Sequence, residues 1–364
     1  MKISILGSRG IPNNYGGFEQ CAENLSLKFI EKNHKVVVYN NSDSSYKKKS
    51  WKQIKIHHVY SNESILKSFN VFLTDFLSIL HAIRNKNDII LALGSAPNPL
   101  YYHLKYFTDA KIITNLAGLE WKRSKWGRLA KMLIKFCEKR AVKMSDALVS
   151  DNIEIQKYIK HEYGELSEYI AYGTKSFDNP KTEVLNNYLL KEYNYYMCVA
   201  RSQPDNNIEM IIEGLLMADV KEPIIIVGNY NNKFGKSLKR KYKSNQNVVF
   251  TGGIYNFKTL STLRYFSKLY IHGHSCGGTN PALLDAMASN SLIAAHGNRF
   301  NKTVLGSDGF YFTNSKELSL LINEKTFEKR TVFCNNNKIK VKNNYSWKKI
   351  SDEYLELFEK ILIR

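Results

Sequence analysis

The chain has 364 residues, 43% of them hydrophobic, which is enough for two cores at about 150 residues per domain. It carries 53 Lys and Arg against 33 Asp and Glu, a formal charge of +20 that attracts nucleic acid, anionic lipid or phosphorylated substrates. No zinc-finger spacing and no RNP-like aromatic strand is present, so no nucleic-acid module and no nucleic-acid partner is expected.

In chain order, an apolar strand at 2–6 comes first, so no leader is expected. A loop from Ser8 to Glu19 follows, then a helix to about residue 31. The second strand, 35–39, ends in Asn40 and Asn41 rather than the acid that holds a dinucleotide ribose, which argues against a nicotinamide enzyme. Further strands are expected at 54–59, 88–93, 111–115, 147–150 and 169–172, with helices at 65–84 and 127–143. The apolar run 69–83 is interrupted by Asp75 and His81 and is too short to span a bilayer. An Asn- and Lys-rich stretch, 176–192, reads as a linker. Beyond it, strands at 196–200, 223–227, 248–251, 268–272, 292–295 and 310–312 alternate with helices at 206–217, 256–266, 281–289 and 347–363. Most of the strand runs are continuous rather than alternating, as expected for parallel strands covered on both faces. Alternating βα units indicate α/β doubly wound sheets, whose ligands bind at the carboxyl ends of the strands. The five cysteines (Cys21, Cys137, Cys198, Cys276, Cys334) are scattered, odd in number and never C-x-x-C, which reads as reduced thiols in a cytoplasmic protein.

Two loops lie at such strand ends. In Ser275-Cys276-Gly277-Gly278-Thr279-Asn280, two glycines, a hydroxyl and an amide precede a helix that opens at Pro281. Unpaired N–H groups and the helix dipole favour an anion there, and Pro fits the first turn because its missing N–H would have no partner. Asp285, a turn later, suits a ribose, so a nucleotide-sugar diphosphate is the candidate ligand. The first loop, with Gly16 and Gly17, is of similar design. Arg201, after the first strand of the second half, is a candidate phosphate ligand, with Arg9 as a candidate second cation. His272 and His274 alternate at a strand end, so both rings face one way. That spacing suits site lining or a metal, but no third ligand is evident and no D-x-D pair occurs.

Four segments carry a resemblance: Gly7 to Glu19; Gly118 to Trp126; Ala200-Arg201 with Pro204 to Asn207; and His272 to Ala288. They make the chain similar to glycosyltransferase family 4, and more narrowly to bacterial polysaccharide rhamnosyltransferases with the N-terminal RGIP…YGGFE signature. The resemblance implies a GT-B fold: two Rossmann-like doubly wound domains (1–180 on the acceptor side, 181–345 for the nucleotide-sugar) facing a cleft, with a last helix (346–364) crossing back. It implies a retaining, metal-free transfer of L-rhamnose from dTDP-L-rhamnose to a lipid-linked saccharide in capsule or cell-wall synthesis, with no cofactor. A UDP-sugar hexosyltransferase and a weakened nucleotide-sugar-binding protein are the alternatives. On this resemblance the catalytic roles are expected to fall to Glu120, Arg201 and His274. Donor binding falls to Arg9, Gly16, Gly17, Arg201, His272, Gly277, Gly278, Thr279, Asn280 and Asp285. Tyr15, Phe18, Glu19, Trp121, Lys122 and Arg123 face the acceptor. The chain departs from the wider family at Asn206 (a lysine), Gly277 (a glutamate) and Ala117 (an aspartate), and has Asp285 where glutamate is usual.

The helix at 127–143 sets Leu129, Met132, Leu133 and Phe136 on one face and Arg128, Lys131, Lys135 and Lys139 on the other. It is either a core helix with a solvated basic face or an interfacial helix that meets anionic lipid beside Trp121 and Trp126. The second reading places the protein on the inner face of the bacterial membrane.

Overall fold

The computed structural model describes residues 1–13, 16–66, 69–324 and 326–363. The strands are β1 Lys2–Leu6, β2 Lys35–Asn41, β3 Ser50–Trp51, β4 Ile54–Val59, β5 Ile89–Leu93, β6 Lys111–Leu116, β7 Ala147–Ser150, β8 Glu168–Tyr169, β9 Tyr196–Val199, β10 Ile224–Val227, β11 Val248–Gly252, β12 Leu269–His272, β13 Ile293–His296 and β14 Phe310–Phe312. The helices are α1 Gly17–Glu31, α2 Glu63–Leu66, α3 Phe69–Arg84, α4 Arg128–Met144, α5 Ile153–Tyr163, α6 Glu183–Asn186, α7 Ile208–Ala218, α8 Lys233–Lys241, α9 Phe257–Tyr265, α10 Pro281–Ala288, α11 Arg299–Leu305, α12 Ser315–Asn323, α13 Arg330–Asn344 and α14 Trp347–Ile363.

The chain forms two compact units. The first joins residues 1–122, 126–173 and the segment from Trp347 onward; the second holds 123–125 and 174–346. The expected boundary at 180 therefore lies at 173/174. Thr174 belongs to the second unit because its N–H donates to the Tyr345 carbonyl at 2.7 Å, and it bridges to Ser346. The segment 123–125 joins that unit because the Asp205 carboxylate accepts from the Ser124 N–H at 3.2 Å and from its hydroxyl at 2.6 Å.

The first unit has an eight-stranded sheet in the order β3-β4-β2-β1-β5-β6-β7-β8. All its pairs are parallel except the short β3–β4 ribbon. The central strands are buried on both faces: Ile3, Ile5 and Leu6 of β1 and every residue of β5 lie in the core. α14 packs on this unit, with Trp347, Ile350, Tyr354, Phe358 and Ile361 buried and Phe358 edge-on to Phe29 of α1. The second unit has an all-parallel six-stranded sheet, β11-β10-β9-β12-β13-β14. Its core runs through Tyr196, Ile211, Ile226, Ile271 and Phe312.

Asparagine sets many helix starts. Asn152, Asn232, Asn256, Asn280, Asn298 and Asn314 each precede a helix and accept a backbone N–H of its first turn, which stabilises each start by about 1 kcal/mol. Among the described residues no helix is long and apolar enough to cross a membrane.

Candidate functional site

In the second unit, the loops after β9, β12 and β13 are sewn together. A Cβ on Gly273 would lie 2.3 Å from the Asn206 carbonyl, so only glycine permits that approach. The Asn207 amide donates to the Gly273 carbonyl at 2.8 Å. Ser275 donates both its N–H and its hydroxyl to the Asp205 carbonyl, each at 2.9 Å. Asn298 of the third loop and Asn301 of the following α11 donate to the His274 carbonyl at 2.9 and 3.1 Å.

These bonds hold the loop that enters α10. Gly277 has φ +136, a conformation that L side chains rarely adopt, and open space lies where its Cβ would be. Gly278 and Thr279 are buried. Asn280 caps the helix through Ala282 N–H at 2.9 Å, and Pro281 occupies the first turn.

The two imidazoles stack, with centroids 4.4 Å apart and planes 12° from parallel. Neither nitrogen of His272 has a partner, nor has the buried Nδ1 of His274. Burial pushes His272 well below the ordinary histidine range, with the neighbouring His274 adding to it. Burial, then the charges of Arg201 and Arg123, lower His274 to about 3. Both rings are thus neutral near pH 7, each with one N–H to donate and one nitrogen to accept. Among the described residues no three His, Cys, Asp or Glu gather in a metal-holding group.

Arg201 is exposed, and its carbonyl accepts the buried Asn206 amide at 2.7 Å. Where the wider family resemblance places a lysine, this chain thus has a brace for the turn that presents Arg201. Asp285 is more committed than its sequence position implies. Oδ1 accepts the Thr174 hydroxyl at 2.7 Å, and Oδ2 lies 3.5 Å from the guanidinium of Arg264, a side chain only 2% exposed. Each carboxylate oxygen keeps a further lone pair for a ligand.

The first unit's loop follows β1. Gly7 has φ +88, and a Cβ there would lie 2.2 Å from the Leu93 carbonyl of β5. Gly10, at φ +119, leaves no room beside Asn40. That asparagine accepts the Ile11 N–H at 3.0 Å and donates to the Ile11 carbonyl at 2.7 Å. Glu19 is buried and accepts the Arg9 N–H at 2.8 Å, so this residue expected on the acceptor side shapes the loop from within. Phe18 packs close to Gly94, whose added Cβ would meet its ring at 3.2 Å. Gly16 is extended (φ −166) and caps α1, while Gly17 is the helix's first residue. In this loop the positive φ values belong to Gly7 and Gly10. Tyr15 lies outside the described residues.

The Gly118–Trp126 motif is divided between the units. Glu120 accepts the Trp126 indole N–H at 3.1 Å in the first. Trp121 lies beneath the Lys135 ammonium, 4.7 Å from the ring centroid, and the exposed Lys122 flanks the same ring at 5.2 Å. Arg123, expected on the acceptor side, belongs to the second unit and is near enough to depress His274.

A family described as a domain of unknown function (DUF1972) matches residues 1–175. An uncharacterized glycosyltransferase of Methanocaldococcus jannaschii is 29% identical over 183 residues, 45% of this chain and 44% of that relative, so the match spans less than half of either. Sucrose-phosphate synthase from Thermosynechococcus elongatus superposes with a TM-score of 0.81 over 100% of this chain and 99% of its own, at 11% identity. Anabaena HepE, in complex with UDP and glucose, gives 0.79 over 99% and 100% at 15% identity. The fold is GT-B.

Within this GT-B chain, two features escaped sequence reasoning. The Asp285–Arg264 pair joins residues 21 positions apart on different helices. The orphaned imidazole nitrogens follow from burial, which the H-x-H spacing alone does not report.

Proposed function

We propose that the chain is a nucleotide-sugar-dependent glycosyltransferase that retains anomeric configuration and needs no metal. The observation that carries this reading is the loop Gly277–Asn280 at the start of α10, set beside two neutral imidazoles with unpartnered nitrogens. Backbone N–H groups at a helix N-terminus suit a sugar diphosphate. Arg201 adds a cation, and the charge growing on the departing diphosphate is what such groups stabilise most.

In the proposed step the bond from the anomeric carbon to the β-phosphate oxygen breaks. The acceptor hydroxyl forms its bond to that carbon on the same face, and its proton passes to the departing phosphate oxygen. His274 would hold the sugar through a neutral hydrogen bond, and Glu120 would orient the acceptor. Arg9, Gly16 and Gly17 are further candidates for donor binding, and Phe18, Trp121 and Lys122 for the acceptor.

The motifs at Arg9–Glu19, Gly118–Trp126 and Gly277–Pro281 favour dTDP-L-rhamnose and a lipid-linked saccharide acceptor, used at the inner face of the cell membrane in capsule or cell-wall synthesis. A second reading, a UDP-hexose donor, is favoured by the UDP and glucose held in Anabaena HepE. The test is turnover of dTDP-L-rhamnose against UDP-hexoses with a hydrophobically tagged glycosyl acceptor and no added divalent ion. The rhamnose reading predicts transfer from dTDP-L-rhamnose, with roughly hundredfold or smaller discrimination against other donors. Much faster use of a UDP-hexose moves the donor to the second reading. Binding of neither UDP nor dTDP by calorimetry overturns both.

A further inference from the structure

Helix α4 has an apolar stripe on the outside. The residues it buries are Ile134, Cys137, Glu138, Ala141 and Val142. Leu129 is 81% exposed, Met132 65% and Phe136 51%, and Leu133 shares their face at 39%. Exposed Arg128, Lys139 and Lys143 flank this stripe. Phe69, 76% exposed at the start of α3, lies in the same layer, since α3 and α4 both pack against the 3-10 segment Asn98–Phe107. Isolated exposed apolar residues are ordinary, but a contiguous helical stripe marks a contact surface.

We propose that α4 docks the protein on an anionic bilayer by seating Leu129, Met132, Leu133 and Phe136 among the headgroups, with Arg128, Lys139 and Lys143 against lipid phosphates. Charge selects this occupant. The stripe is rimmed by cations on a chain of net charge +20, which suits anionic lipid and disfavours a second copy of the same chain. The proposal names the surface where the lipid-linked acceptor would be met, and in that sense rests on the glycosyltransferase reading.

Lys135 is not part of this rim. It bonds to Glu162 at 2.9 Å and Glu138 at 3.2 Å and to the Tyr158 hydroxyl, and it covers Trp121. Trp121 likewise turns its indole nitrogen inward. Attachment should therefore combine insertion with charge, and raised salt should weaken it without abolishing it.

The test is flotation of the full chain with vesicles of equal parts phosphatidylglycerol and phosphatidylcholine, and with phosphatidylcholine alone. The parent should float with the anionic vesicles. The double variant Leu129→Gln, Phe136→Gln should partition at least about tenfold less, with unchanged circular dichroism and unchanged nucleotide affinity. Arg128→Gln with Lys139→Gln should lose only the preference for anionic lipid. Equal flotation of parent and apolar double variant overturns the proposal. So does a parent that self-associates in solution and is made monomeric by that variant. Vesicle binding without any nucleotide binding would keep the docking surface and remove the glycosyltransferase reading, so the two fail separately.

Discussion

Two glycines of the site loops have opposite reasons for being glycine. Gly7 combines φ +88 with a backbone oxygen in its Cβ position, whereas Gly277 combines φ +136 with open space. Gly7→Ala should cost at least about 2 kcal/mol of folding stability, from strain plus overpacking. Gly277→Ala should cost about 1–3 kcal/mol from strain alone and should mainly remove nucleoside-diphosphate binding. Denaturant unfolding with calorimetry separates the two effects; a Gly277→Ala protein that binds UDP or dTDP like the parent would show that its loop is only a turn. Asp285→Asn should be costly without any ligand, by about 3 kcal/mol, because it leaves the buried guanidinium of Arg264 without its counter-charge. A parent-like unfolding midpoint would assign Asp285 to ligand binding alone.

The imidazole pair links the site to pH. His272 and His274 are depressed in the folded protein, His274 to about 3, whereas in the unfolded chain each takes a proton near pH 6.5. The unfolded state binds more protons below that pH, so the folded state keeps full stability above about 6.5 and loses it as pH falls toward 3. Each ring contributes a slope of up to about 1.4 kcal/mol per pH unit. His274→Gln should flatten the acid limb of a stability–pH curve; an unchanged limb would mean that the ring is solvated.

At the scale of elements, the strands were the legible part. The runs at 2–6, 54–59, 147–150 and 310–312 coincide with β1, β4, β7 and β14: β1, β7 and β14 are mainly apolar, as strands of a covered parallel sheet are, and β4 buries Ile54, Ile56 and Val59 while Lys55 is exposed. Ser50–Trp51 is too short to leave a period, and Asn98–Phe107, a 3-10 segment opening with proline, mixes aromatic and polar residues without helical spacing. α4 shows the deeper limit. Periodicity says which residues share a face, not which face turns inward. Leu129 and Phe136 look as fit for the core as Ile134 and Cys137, and only the neighbouring 3-10 segment Asn98–Phe107 and α5 decide between them. The same limit hid the partners of Lys135, which come from α5 and from the helix's own buried Glu138. Lys135→Ala should destabilise by about 3 kcal/mol, because Glu138 then keeps only the Tyr158 and Tyr163 hydroxyls for its charge. Lys139→Ala should stay within about 0.5 kcal/mol. Equal melting temperatures for the two variants would restore Lys135 to the solvated basic face.

At the scale of the molecule, the first unit is discontinuous in sequence. Its sheet comes from residues ahead of 174, but its layer α14 is made after the whole of the second unit. Seven large side chains of that helix, from Trp347 to Ile361, fill the first unit's core, and a Cβ on Gly173 would lie 2.5 Å from the Trp347 ring. Synthesis from the N-terminus usually lets the leading domain fold first. Here the order inverts: the trailing unit can close while the leading one still waits for its final wall. A chain stopped after Ser346 should therefore protect residues 174–346 from a protease while 1–173 is digested. If the truncated chain protects both segments equally, the last helix is a covering and not a wall, and the leading half matures on its own.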